Sequence, residues 1–92
     1  MISIEECFTV KREKFISSEL GDEIMLMNLE TGNYIGLNAV SSDIYKLAEE
    51  KASVKQIISS LLKTYDVDEE VCRTQVLTCI ENMMDKELLV KI

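Results

Sequence analysis

The sequence predicts a small α+β domain with a winged helix-turn-helix-like layout, in which an N-terminal three-stranded antiparallel sheet is followed by three helices. Three observations predict it. Short β-type runs separated by glycine turns fill the first 37 residues, and apolar residues recur at helical spacing after that. The last two helical stretches are joined by a tight acidic turn, Asp66-Val67-Asp68. Ninety-two residues fit one domain over 1–92, and a composition 47% hydrophobic with no proline suits a folded chain.

The strands come first. Lys14 to Leu20 is a strand ended by the turn pair Gly21-Asp22. Ile24 to Leu29 is apolar on both alternating faces, as expected of a central strand or one covered on its second face. Glu30-Thr31-Gly32-Asn33 supplies the glycine a short hairpin loop needs for positive φ, and Asn33 to Leu37 forms the third strand. Consecutive hairpins make a meander, so the third strand lies at an edge unless something else pairs with it. Cys7 to Arg12 is a candidate further strand, and Leu88 to Ile92 closes the chain as a terminal strand or an extended tail.

In the helical half, Val40, Ile44, Leu47 and Ala48 mark the first helix, with Ser41 or Ser42 available to cap it. Ser53 caps the second, whose stripe is Val54, Ile57, Ile58, Leu61, Leu62 and Tyr65. Asp68 caps the third, about 69–86, with Glu69 and Glu70 favoured by the dipole in its first turn. This helix carries two apolar stripes: Cys72, Val76, Cys79, Ile80 and Met83, and then Leu77, Ile80, Met84 and Leu88. One stripe covers a core. A second means burial between two layers or a spare apolar flank at a groove.

Charge and chemistry exclude several functions. The net charge of −7 repels phosphate backbones and anionic membranes, so neither nucleic acid nor a membrane is expected as partner. The thin basic stretch Lys51, Lys55 and Lys63 is a solvated helix face. From Asp66 to Glu87 seven acids face two bases, Arg73 and Lys86, which is unsuited to a DNA-recognition helix. No run is long and apolar enough to span a bilayer, and the N-terminus lacks the basic-then-apolar order of a secretion signal; cytoplasmic residence is expected. Cys7, Cys72 and Cys79 are expected to be small buried hydrophobes. On one helix Cys72 and Cys79 stand about 10 Å apart, beyond the roughly 7 Å a disulfide spans. With no histidine, no Cys-x-x-Cys and no phosphate loop, neither a metal, a cofactor nor catalysis is expected.

The segment Leu29-Glu30-Thr31-Gly32-Asn33-Tyr34-Ile35-Gly36-Leu37-Asn38 resembles the signature of the PqqD-like family: a strand, a Thr-Gly turn, then aromatic-x-Gly-Leu-Asn. The likeness continues through Ile44-Tyr45, Val54-Lys55-Gln56-Ile57-Ile58 and Tyr65-Asp66-Val67 to Leu88-Leu89, covering about residues 20–90. It departs at Ser41 or Ser42, where many members have glycine, and at Lys86-Glu87, where many have glycine before the final leucine.

The resemblance implies a recognition element for ribosomally made natural products, most like the discrete proteins of lasso-peptide clusters. Such a protein binds the leader segment of a precursor peptide and works with a separate leader peptidase and cyclase. The leader adds as a strand to the sheet edge, over Asn33, Tyr34, Ile35, Gly36 and Leu37, against the third helix. The groove wall is then expected from Arg73, Val76, Leu77, Ile80, Glu81 and Met84. Two alternatives remain at this point: a carrier for the precursor of a redox cofactor of the PQQ type, and an acidic winged-helix interaction module or regulator.

Overall fold

A computed structural model describes residues 5–10 and 13–92. The elements are β1 (Phe8–Val10), β2 (Phe15–Leu20), β3 (Glu23–Asn28), β4 (Tyr34–Leu37), α1 (Ala39–Glu49), α2 (Val54–Thr64), α3 (Glu69–Asp85) and β5 (Leu89–Lys91). The architecture is α+β, with the β2–β3–β4 antiparallel meander followed by three helices.

β3 is central, as its doubly apolar pattern predicts. Ile24 and Leu26 are buried on the inner face, while Met25 and Met27 are half-buried on the outer one. Gly21 and Gly32 sit in the two hairpin turns at φ 66° and 76°, where a Cβ is unfavourable. In the second turn the Asn28 side chain accepts from the backbone N–H groups of Glu30 and Thr31.

The two chain ends form a second sheet that the sequence left open. β1 pairs antiparallel with β5, with Phe8 opposite Lys91 and Val10 opposite Leu89. Phe8, Val10, Leu88 and Leu89 are thereby buried in the common core with Ile44, Tyr45, Ile57, Val76 and Ile80. Of the strand expected over Cys7 to Arg12, Lys11 and Arg12 lie outside the described residues.

The helix starts correct one reading. Ser53 caps α2 as expected, in a full capping box with Gln56. α1, however, is capped by Asn38, whose side chain accepts the Ser41 N–H at 2.8 Å, and neither serine serves. Ser42 is buried one turn too deep to cap. Asp68 stands at the N-cap of α3 without a side-chain hydrogen bond, so it contributes only charge there. α3 closes with Leu88 N–H donating to Met83 C=O and Glu87 N–H to Met84 C=O, the Schellman pattern. Glu87 thus takes the left-handed position, φ 63°, which glycine adopts most readily.

Candidate functional site: the cleft between β4 and α3

Among the described residues β4 is an edge strand, paired with β3 on one side only. Its register puts Leu26 opposite Ile35 and Met27 opposite Tyr34. Asn28 donates its N–H to Asn33 C=O at 2.8 Å. Bonded pairs alternate along an antiparallel ladder, so Ile35 and Leu37 turn their polar groups toward β3. Tyr34 and Gly36 therefore present N–H and C=O to the open edge.

Across that edge stands α3. It packs on α2, α1 and β5, and it stands off from β4 across a cavity of about 420 Å³. Two rows of α3 side chains face this space. Gln75, Cys79 and Met83 form the inner row; Thr74, Thr78, Asn82 and Lys86, four residues apart, form the outer one. Ile35, Gly36, Leu37 and Asn38 form the opposite wall, with Ser41 and Leu88 completing the lining.

The ends of the cleft have a definite sense. Cys79 Sγ lies 3.4 Å from Ser41 Oγ, just beyond the C-terminal end of β4. Lys14 bonds Glu87 at 2.9 Å, and its carbonyl accepts from Leu29 N–H where β3 turns toward β4. The C-terminal end of α3 thus lies beside the start of β4, and α3 runs antiparallel to that strand.

The expected site residues divide accordingly. Ile35, Gly36 and Leu37 line the cleft, and Tyr34, 67% exposed, and exposed Asn33 stand at the start of the same edge strand. The expected groove wall from α3 is not where the cleft lies. Val76 and Ile80 are fully buried core residues; Leu77 and Met84 pack half-buried against that core; Arg73 and Glu81 are exposed; and none of the six lines the cleft. At about 100° per residue, the stripe through Leu77 and Met84 and the stripe through Thr74, Thr78, Asn82 and Lys86 flank the core stripe on opposite sides. The wide apolar arc serves packing, and the cleft wall is the polar flank.

The three cysteines are free, and of the burial expected for all of them only Cys72 shows it; Cys7 and Cys79 are half-buried. Burial raises the Cys79 thiol above its ordinary pKa, against a smaller lowering by the Ser41 hydroxyl. It is therefore a neutral, weakly polar patch on the cleft floor at neutral pH.

Known proteins share this architecture. The family model for coenzyme PQQ synthesis protein D (PqqD) matches residues 23–89. The solved structure of TbiB1 in complex with the TbiA(beta) leader peptide matches with a TM-score of 0.80 and 31% identity, over 88% of this chain and 93% of that one. Lasso peptide synthetase B1 complexed with the leader peptide also superposes at a TM-score of 0.80. It covers 90% of this chain and 96% of that one, and at 13% identity shows a common fold. No curated protein matches the chain by sequence.

Proposed function

The chain belongs to the PqqD family, and from that premise we propose that it binds the leader segment of a ribosomally synthesised precursor peptide. The leader enters as an extra strand on β4, pairing with the edge groups of Tyr34 and Gly36, and its side chains enter the cleft against α3. One observation carries this reading: the open edge of β4 borders a cleft walled on its far side by α3. The likeness to a leader-bound protein over nearly the whole of both chains supports it.

Backbone bonds from the strand give affinity, and the cleft supplies side-chain selection. The mixed lining suits this division, because Met83, Leu37 and Ile35 offer apolar contact while Thr74, Thr78 and Asn82 offer hydrogen bonds. Binding, not catalysis, is the role assigned.

The finer reading is a lasso-type precursor, presented to a separate leader peptidase and a cyclase. Its architecture, shared with a lasso synthetase B1, supports this. The family's own description favours a second reading, a carrier for the precursor of a PQQ-type cofactor. Calorimetric titration against the precursor peptide encoded beside the gene tests the function. A 1:1 complex near 1 μM or tighter, about −8 kcal/mol, is the expected result. The absence of heat and of any shift in the protein's amide resonances would rule it out.

A further inference from the structure

Among the described residues, those lining the cleft carry one charge. It is Lys86, at the C-cap of α3, in a chain of net charge −7. It is exposed, and among the described residues its ammonium makes no ion pair, whereas Lys14, Lys46 and Lys91 are each held by a glutamate. Its neighbour Glu87 is engaged by Lys14 and is not among the residues that line the cleft. The opposite end has the other sign: Thr74 and Gln75 are shared with a neighbouring depression that Asp68 and Glu70 also line.

From this arrangement we propose that Lys86 is a specificity-determining residue, whose ammonium pairs with an acidic side chain of the bound peptide beside the start of β4. The proposal rests on the leader-binding reading and adds register to it. A strand held only by backbone bonds can slip by two residues without losing a hydrogen bond. One charged partner at one end of the cleft removes that freedom. The carboxylates at the far end repel an acidic side chain shifted toward them, so attraction and repulsion select the same register. Glu70 to Lys86 spans about 24 Å of helix, the length of about seven residues of extended peptide. The two ends therefore sample well-separated positions of one leader. A lysine near a helix C-terminus also favours the helix dipole, but that role is indifferent to the peptide's charge.

The test uses the whole chain and an mRNA-displayed library of random decapeptides, selected separately on wild type, Lys86→Glu and the distant control Lys55→Glu. Circular dichroism confirms that each variant folds. Wild type and the control are expected to enrich an acidic residue at one fixed position, and Lys86→Glu a basic one there. In titrations of the wild-type consensus peptide, changing that acid to lysine should weaken binding to wild type about fivefold, the scale of an exposed ion pair, and strengthen binding to Lys86→Glu. Enriched peptides without that charge preference, or a preference that survives Lys86→Glu, would overturn the proposal while leaving peptide binding intact. If no peptide is enriched on wild type, the leader-binding reading falls and the proposal with it.

Discussion

The Ser42 hydroxyl accepts the Ile24 backbone N–H at 2.8 Å inside the protein, with no exposed surface of its own. The same oxygen donates to the Leu37 carbonyl at 3.1 Å. Ile24 and Leu37 face each other in the β3–β4 register, so this one side chain of α1 ties off the ladder where β4 ends. It fixes the strand that borders the cleft to the helix that follows it.

Ser42→Ala should therefore destabilise the fold by about 2 kcal/mol, the usual cost of leaving buried polar groups without a partner. Urea denaturation checks it: the midpoint should fall with the slope unchanged. Ser41→Ala, which keeps the Asn38 cap to the residue-41 N–H, should shift the midpoint far less.

The two neighbouring positions on β4 should respond oppositely to proline. Gly36 turns its N–H to the open edge, and a Cβ there meets only the end of Met25 at 4.0 Å. Gly36→Pro should fold and lose most of its leader affinity, because an edge proline removes only the bond offered to the incoming strand. Ile35 spends its N–H on β3, so Ile35→Pro should lower the melting temperature instead. Paired thermal melts and calorimetric titrations separate the two.

Charge placed on the two flanks of α3 should also separate binding from stability. Thr78 is exposed on the cleft wall, and Thr78→Glu should keep the melting temperature while weakening leader binding by about 2 kcal/mol, through an unpaired carboxylate desolvated by the peptide. Leu77→Glu puts the same charge against the core and should lower the melting temperature. Lys51→Glu and Lys55→Glu, remote from the cleft, should alter neither.

Cys79 offers a chemical reading of occupancy. Because burial raises its pKa, less thiolate is present at a given pH than for an ordinary cysteine, and alkylation should speed up as pH rises toward that raised value. In a Cys7→Ser, Cys72→Ala background, saturating leader peptide should slow iodoacetamide labelling at least several-fold. Labelling at an unchanged rate by a bound complex would place the peptide elsewhere.

What the sequence disclosed followed from periodicity. The α2 stripe from Val54 to Leu61 and the doubly apolar β3 each repeat long enough to be recognised, and both lie where their patterns put them. The pairing of β1 with β5 was hidden because three-residue strands carry no period and their partners lie at opposite ends of the chain. The cleft wall of α3 was missed for a different reason. A search for apolar surface finds Leu77 and Met84, which serve the core. The wall is marked instead by small polar residues and a lysine at four-residue spacing, Thr74, Thr78, Asn82 and Lys86, which resembles any solvated helix face. Only the open edge of β4 beside it distinguishes that face.

Amide hydrogen exchange by NMR, with and without the precursor's leader peptide, tests strand addition most directly. Without peptide, the Ile35 N–H should be protected by β3, and those of Tyr34 and Gly36 should exchange fast. With saturating peptide, Tyr34 and Gly36 should become protected by an order of magnitude or more, while Lys51 and Lys55 stay unchanged. A peptide that binds while the Tyr34 and Gly36 amides keep their free exchange rates would contradict docking on β4.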